Sequence, residues 1–308
     1  QKDAAAAAAS VEAAVEHARP AVRRVVVIAA PGAACGGLGA RLRLRGVQLL
    51  VLPESPGGAP DPLPFGLASV AEALAGRCRP SRAGWYLQQL LKLHADMLVP
   101  DLSSPFLVLD ADVLLLRPTA FAEELPGGAG ARVALLQDPG AVPDGTVPSP
   151  MAWLRHASAL TRGAVTFPGR RGRRAACHVM PMDARVLRSL RGEVERLNPG
   201  RRFWDAFLSC VEEGGGEDGA SEYELYHAYA ATWHPEKVAE RPLLWTDRGA
   251  ACRAQPESVE ADRMRGLHYV AHHTQLVEEG KRRPDPRGAP DQEWAAGGTG
   301  VERGRAGR

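Results

Sequence analysis

Two aspartates one residue apart, Asp110 and Asp112, end the apolar run Phe106–Leu109, and a second apolar run follows over residues 113–116. A hard divalent cation prefers carboxylate oxygens and water, and such a pair at a strand end can hold one beside a diphosphate. Ligands of open α/β sheets bind beyond the carboxyl ends of the strands, which is where this triplet falls. The competing account is a strand-ending turn whose acids cap backbone N–H groups, because two acids at this spacing recur in many unrelated sequences. The apolar flanks favour the first account: two desolvated carboxylates that close repel each other, and a cation compensates them.

Upstream, the segment WYLQQLLKL reads as a helix that places Trp85, Gln88 or Gln89, and Lys92 on one face and Leu87, Leu90 and Leu91 on another. The leucine face packs on a sheet in this reading. The mixed face either borders a cleft, with the Lys92 amine directed at phosphate oxygens, or is ordinary surface with Trp85 partly buried. Downstream, Ser221 and Glu224 match an S-x-x-E capping box, which gives Glu224 a structural task. Glu222 has none, and in a cleft it can bind acceptor hydroxyls or act as a general base. Asp183 precedes a helical segment as an N-cap candidate. His178 is either a core histidine on a strand or a residue facing a sugar. Arg170, Arg171, Arg173 and Arg174 form a basic loop, solvated or set against an acidic acceptor.

Elements must position these groups. Residues 4–18 are alanine-rich with Val11 and Val15 four apart, a helical spacing that Pro20 ends. Short apolar runs at residues 25–29, 47–52, 106–109 and 133–136 read as strands covered on both faces, the pattern of a parallel sheet. Helical segments at 67–75 and 85–97 alternate with them, which predicts an α/β fold with a mostly parallel central sheet flanked by helices. Later, residues 177–181 read as a strand, 183–197 as a helix, and 214–219 as a glycine-rich loop before Ser221. A single domain over residues 1–279 is expected, followed by a disordered tail over 280–308 rich in Gly, Pro and Arg.

At 308 residues, 45% hydrophobic and 24% charged, the chain can bury one sizeable core. Its formal net charge of +2 comes without a basic and aromatic pattern, so a small-molecule or glycan partner is expected and nucleic acid is not. Cys35, Cys78, Cys177, Cys210 and Cys252 lie far apart, with neither CxxC pairs nor histidines at zinc spacing. No apolar stretch reaches the ~20 residues needed to span a bilayer.

Together, the blocks GWYLQQLLKLHA, LVLDADVLLLRP, HVMPMD and SEYELYHAY resemble an uncharacterised family within the nucleotide-diphospho-sugar transferase superfamily, over roughly residues 22–275. A lysine-bearing helix followed by a strand ending in DAD also resembles the glycogenin-like transferases. The resemblance implies a GT-A fold and a metal-dependent glycosyltransferase, with Mn2+ or Mg2+ and a nucleotide sugar, a UDP-sugar first, as cofactor and donor. A glycan, protein or lipid is the implied acceptor. It places Asp112 on the metal, Asp110 on the metal or the ribose, and Lys92, Trp85, Gln89 and His178 around the donor. Glu222 is the candidate catalytic base. A late histidine completes the metal site in many such enzymes; His273 is the expected one here and His272 the alternative. The family's first strand is expected upstream of Lys2, and location follows the source: Golgi lumen behind an N-terminal anchor, or bacterial cytoplasm.

Two other functions remain open. A catalytically silent module that binds sugar nucleotides or glycans can keep such a fold. A DxD phosphatase of the haloacid-dehalogenase type also places its acids after an apolar strand, but its motif wants Thr or Val where this chain has Leu114.

Overall fold

The computed structural model describes residues 2–29, 37–54, 63–124, 132–138, 151–165, 178–212, 219–249 and 256–273. The basic loop 170–174, most of the glycine-rich loop 214–219, the tail after Gly280 and the His273 side chain lie outside the described residues.

The fold is mixed α/β. Helix Lys2–His17 ends before Pro20 as its sequence predicts, and strand Ala18–Arg19 then pairs in parallel with Thr119–Ala120. Strands Arg24–Ala29 and Gln48–Pro53 are parallel, with Arg24 opposite Gln48, and helix Leu38–Leu44 lies between them in sequence. Leu38, Leu42 and Val47 pack there against Val11 and Val15 of the first helix.

The main core lies elsewhere. Helix Ala83–Leu93 turns Tyr86, Leu87, Leu90, Leu91 and Leu93 inward, and packs against helices Leu67–Ala73 and Glu222–Trp233. Each fully buried leucine contributes roughly 2 kcal/mol by removing apolar surface from water. The continuous helix expected over 85–97 breaks at His94 into Ala83–Leu93 and Ala95–Leu98. The His94 ring is edge-on to Phe65 and Phe203, and its Nδ1 lies 2.7 Å from the Leu90 carbonyl. Arg191 of helix Ala184–Leu197 closes over the break, donating to the Leu93 carbonyl at 2.7 Å and to both oxygens of Asp96.

Strand Phe106–Leu109 pairs antiparallel with Val179–Met182, Leu109 opposite Val179. Past the Asp110–Asp112 turn, Val113–Leu115 pairs antiparallel with Tyr269–His273, which is parallel to Trp245–Gly249. Arg132–Gln137 lies between Val238–Arg241, parallel to it, and Ala122–Glu124, antiparallel. Helices Met151–Leu160, Phe203–Ser209 and Pro256–Met264 and the 3-10 turns Pro80–Arg82 and Pro235–Lys237 complete the described elements.

The pairings among the described residues form five small sheets of mixed direction, where the apolar runs had predicted one mostly parallel sheet. The reason is that an apolar run does not report direction: Phe106–Leu109, one of those runs, pairs antiparallel with the fully buried Val179–Met182. Arg24–Ala29, by contrast, is only partly buried despite its unbroken apolar run. No helix among the described residues is long and apolar enough to cross a membrane.

Candidate functional site

Three segments distant in sequence converge where strand Phe106–Leu109 ends. The strand stops at Asp110, whose N–H donates to the His178 carbonyl at 3.0 Å, and the turn closes when Val113 N–H donates to the Asp110 carbonyl at 3.2 Å. Ser10, buried in the first helix, supports the turn from the side by donating to the Ala111 carbonyl at 2.8 Å. On the opposite flank His272 N–H donates to the Asp112 carbonyl at 3.0 Å. Asp112 itself is half-buried.

Lys92, in the last turn of helix Ala83–Leu93, extends its ammonium between two acids. It lies 2.5 Å from Asp110 Oδ1 and 2.6 Å from Glu222 Oε1. It also sits over the Tyr223 ring, 4.5 Å from the centroid, and the Tyr223 hydroxyl donates to Asp110 Oδ1 at 3.0 Å. Glu222 opens the helix Glu222–Trp233, whose residues are buried as far as Ala230, and only 6% of its side chain is exposed. Ser221 caps that helix by accepting from Glu224 N–H at 3.3 Å, as the S-x-x-E spacing predicts. Gln89, one turn before Lys92, accepts the Glu222 N–H at 3.0 Å, so the lysine helix also ties down the first residue of the second helix.

On the far side of Asp110 stands His178. Its Nδ1 lies 3.2 Å from Asp110 Oδ2, and its Nε2 lies 3.1 Å from Asp247 Oδ1 on strand Trp245–Gly249. The Trp245 ring meets the imidazole edge-to-face at 5.3 Å and stacks on Tyr269 at 5.5 Å.

The charges follow from these neighbours. Burial alone lowers the Lys92 pKa, but Asp110 and Glu222 outweigh it and hold the ammonium well above the ordinary lysine range. Burial raises the Asp110 carboxyl, and Lys92 with His178 pulls it well below the usual carboxylate range. For His178 burial again acts downward, and the two facing carboxylates more than reverse it, favouring the protonated ring. The result is a partly buried cluster of alternating charge in which each ion has a partner.

Of the residues predicted from sequence, Lys92, Asp110, Glu222, Gln89 and His178 come together. Trp85 stands apart from them, under the Arg82 guanidinium at 4.4 Å and edge-on to Tyr86. Asp183 is an N-cap, accepting from Arg185 N–H at 2.7 Å and Val186 N–H at 3.4 Å. Asp110 was expected on a cation or on the donor's ribose; in the structure its oxygens face Lys92, Tyr223 and His178. No group of three His, Cys, Asp or Glu side chains among the described residues is arranged to hold a metal ion. Tyr223 and Asp247 escaped the sequence reading. Asp247 carried a usable signal, because LLWTD is an apolar run ending in an acid, as LVLD is.

Fold and site define a mixed α/β protein with a partly buried, paired charge cluster at the strand ends. The chain belongs to the family described as "Family of unknown function (DUF6492)", which matches residues 47–235. No curated protein matches it. Among solved structures it is similar to mouse xyloside xylosyltransferase 1 in its apo form, at 10% sequence identity and a TM-score of 0.39, over 89% of this chain and 93% of that one.

Proposed function

We propose that the chain is a metal-dependent glycosyltransferase of GT-A type that moves a sugar from a nucleoside-diphosphate donor to a hydroxyl of a glycan, protein or lipid. The observation that carries this reading is the convergence at one turn of Asp112, the Lys92 ammonium and the end of strand Tyr269–His273, three features the motif pattern requires together. A hard cation fits the turn in part. Asp112 offers a carboxylate, and His273 stands one position beyond the residue bonded to it. Asp110 does not fit while both its oxygens are engaged. Such a cation, once bound, offsets negative charge on the departing diphosphate.

The chain's own residues supply the rest. Lys92 is the cation already in place, and a phosphate oxygen can compete for one of its three N–H donors. Its shift toward phosphate would free Glu222 Oε1 to accept the acceptor hydroxyl's proton. Partial burial of Lys92 and Asp110 and near-complete burial of Glu222 strengthen the charge interactions.

One observation favours the catalytically silent binding module instead: Glu222, the proposed base, is neutralised by Lys92. The two readings separate when the protein is incubated with Mn2+ and a panel of nucleotide sugars, UDP-sugars first, while nucleoside diphosphate release and thermal shift are followed. Release that disappears in Asp112→Ala supports transfer. Stabilisation without release supports the binding module, and hydrolysis of simple phosphoesters with no response to nucleotide sugars would sink both in favour of a phosphatase.

A further inference from the structure

Five side chains from separate elements alternate in charge along one line: Glu222, Lys92, Asp110, His178 and Asp247. Asp110 is gripped twice by His178, through its backbone N–H to the His178 carbonyl at 3.0 Å and through Oδ2 to the ring at 3.2 Å. The ring in turn meets a carboxylate at each nitrogen, and Trp245 packs against it at 84°. An imidazole with a carboxylate within ion-pair distance of each nitrogen cannot rotate without parting charged contacts, so Asp247 helps to set its direction.

We propose that Asp247 and His178 form a brace that fixes the Asp110 carboxylate, and that Asp110 is thereby a positioning residue that aims the Lys92 ammonium rather than a ligand of a cation bound at the turn. The part concerning the cation rests on the transferase reading; the brace does not. An ionised carboxylate has roughly four lone-pair directions. Lys92, Tyr223 and His178 occupy three of them on Asp110, and an ion at the remaining one would lie beside Lys92 and His178. On the transferase reading the cation then falls to Asp112, half-buried at the same turn.

The chain's lysines are Lys2, Lys92, Lys237 and Lys281, few enough for the 15N-lysine ammonium spectrum of the full chain to resolve them, with Lys92→Met as the assignment control. In the wild type the Lys92 ammonium protons are expected to exchange more slowly with water than those of Lys237. Asp247→Asn is expected to speed that exchange at least tenfold and leave Lys237 unchanged, and Asp247→Glu to restore it within threefold. Should Asp247→Asn fail to fold, His178→Gln, which keeps a donor for Asp110, makes the same measurement with the same expected rise. A lowered unfolding temperature with unchanged Lys92 exchange overturns the brace.

Titration with Mn2+ alone, followed by electron paramagnetic resonance, tests the division between the acids. Asp112→Ala is expected to lose at least tenfold in affinity and Asp110→Asn less than threefold. Equal losses overturn the positioning role of Asp110. A wild-type protein that binds no Mn2+ overturns the metal-dependent reading and the cation half of the proposal with it, while the lysine spectrum still decides the brace.

Discussion

Three buried histidines show how much a neighbour decides. His94 and His156 each have one ring nitrogen against a backbone carbonyl, and burial pushes both down to about 4. His178, between two carboxylates, moves the other way. For the first pair, folded and unfolded states are both neutral above pH 6.5, so their stabilisation is intact there. As pH falls from 6.5 toward 4 only the unfolded chain takes up the protons, and stability is lost at about 1.4 kcal/mol per pH unit for each histidine. The contribution of His178 has the opposite sign: present below its unfolded value and lost as pH rises through its folded one. Urea midpoints should therefore fall between pH 6.5 and 4, and fall less in His156→Leu; a variant with the wild-type slope would count against this assignment. The sequence made Asp110 and Lys92 legible because each is a charge set among apolar residues, and Glu222 because the capping box assigned Glu224 a structural task and left Glu222 without one. Tyr223 was hidden by its own helix, where an aromatic reads as core. Which acid a histidine faces depends on packing that no local pattern contains.

At the scale of elements, caps followed the sequence closely, while the break at His94 had no counterpart in the helix expected over 85–97. Pro20 follows the end of the first helix, Asp183 and Ser221 start theirs, and the apolar runs became strands within a residue or two. Strand direction was not legible, because it depends on which segments meet rather than on how apolar each is. Nor was the role of the first helix, which reads as an alanine-rich amphipath yet carries Ser10 to the carbonyl of Ala111. Ser10→Ala removes that bond and leaves the carbonyl's partner missing, at a cost of about 1 kcal/mol. The loss should be local: amide hydrogen exchange at Val113, which closes the turn onto Asp110, should quicken, while the amides of helix Ala184–Leu197 keep their rates. A uniform change along the chain would mean that Ser10 supports the fold in general and not the turn.

For the whole molecule, Lys92 is a junction. Through Asp110 and Glu222 it connects the strand Phe106–Leu109 to the buried helix Glu222–Trp233, and through His178 the connection reaches the strand Trp245–Gly249. Removing it leaves two mostly buried carboxylates facing each other, and breaking a buried pair in this way costs about 3 kcal/mol or more. Lys92→Met should lower the urea midpoint accordingly, and the added substitution Asp110→Asn should recover part of the loss by removing one of the stranded charges. Full additivity of the two substitutions would argue against the junction.

The two-acid grip of Lys92 also explains a choice of residue in a chain that otherwise uses arginine almost everywhere. Arg155 with Glu212, Arg191 with Asp96, Arg196 with Glu193 and Arg248 with Asp262 each lay a planar fork along one carboxylate. A fork has a preferred side and suits a single planar partner, whereas an ammonium is a point charge with donors spread around it. Only the latter can answer two acids that approach from different helices and strands and still turn one donor toward a third anion. Lys92→Arg would keep the charge and lose the geometry, and at this position the exchange usually regarded as mildest becomes one of the more disruptive.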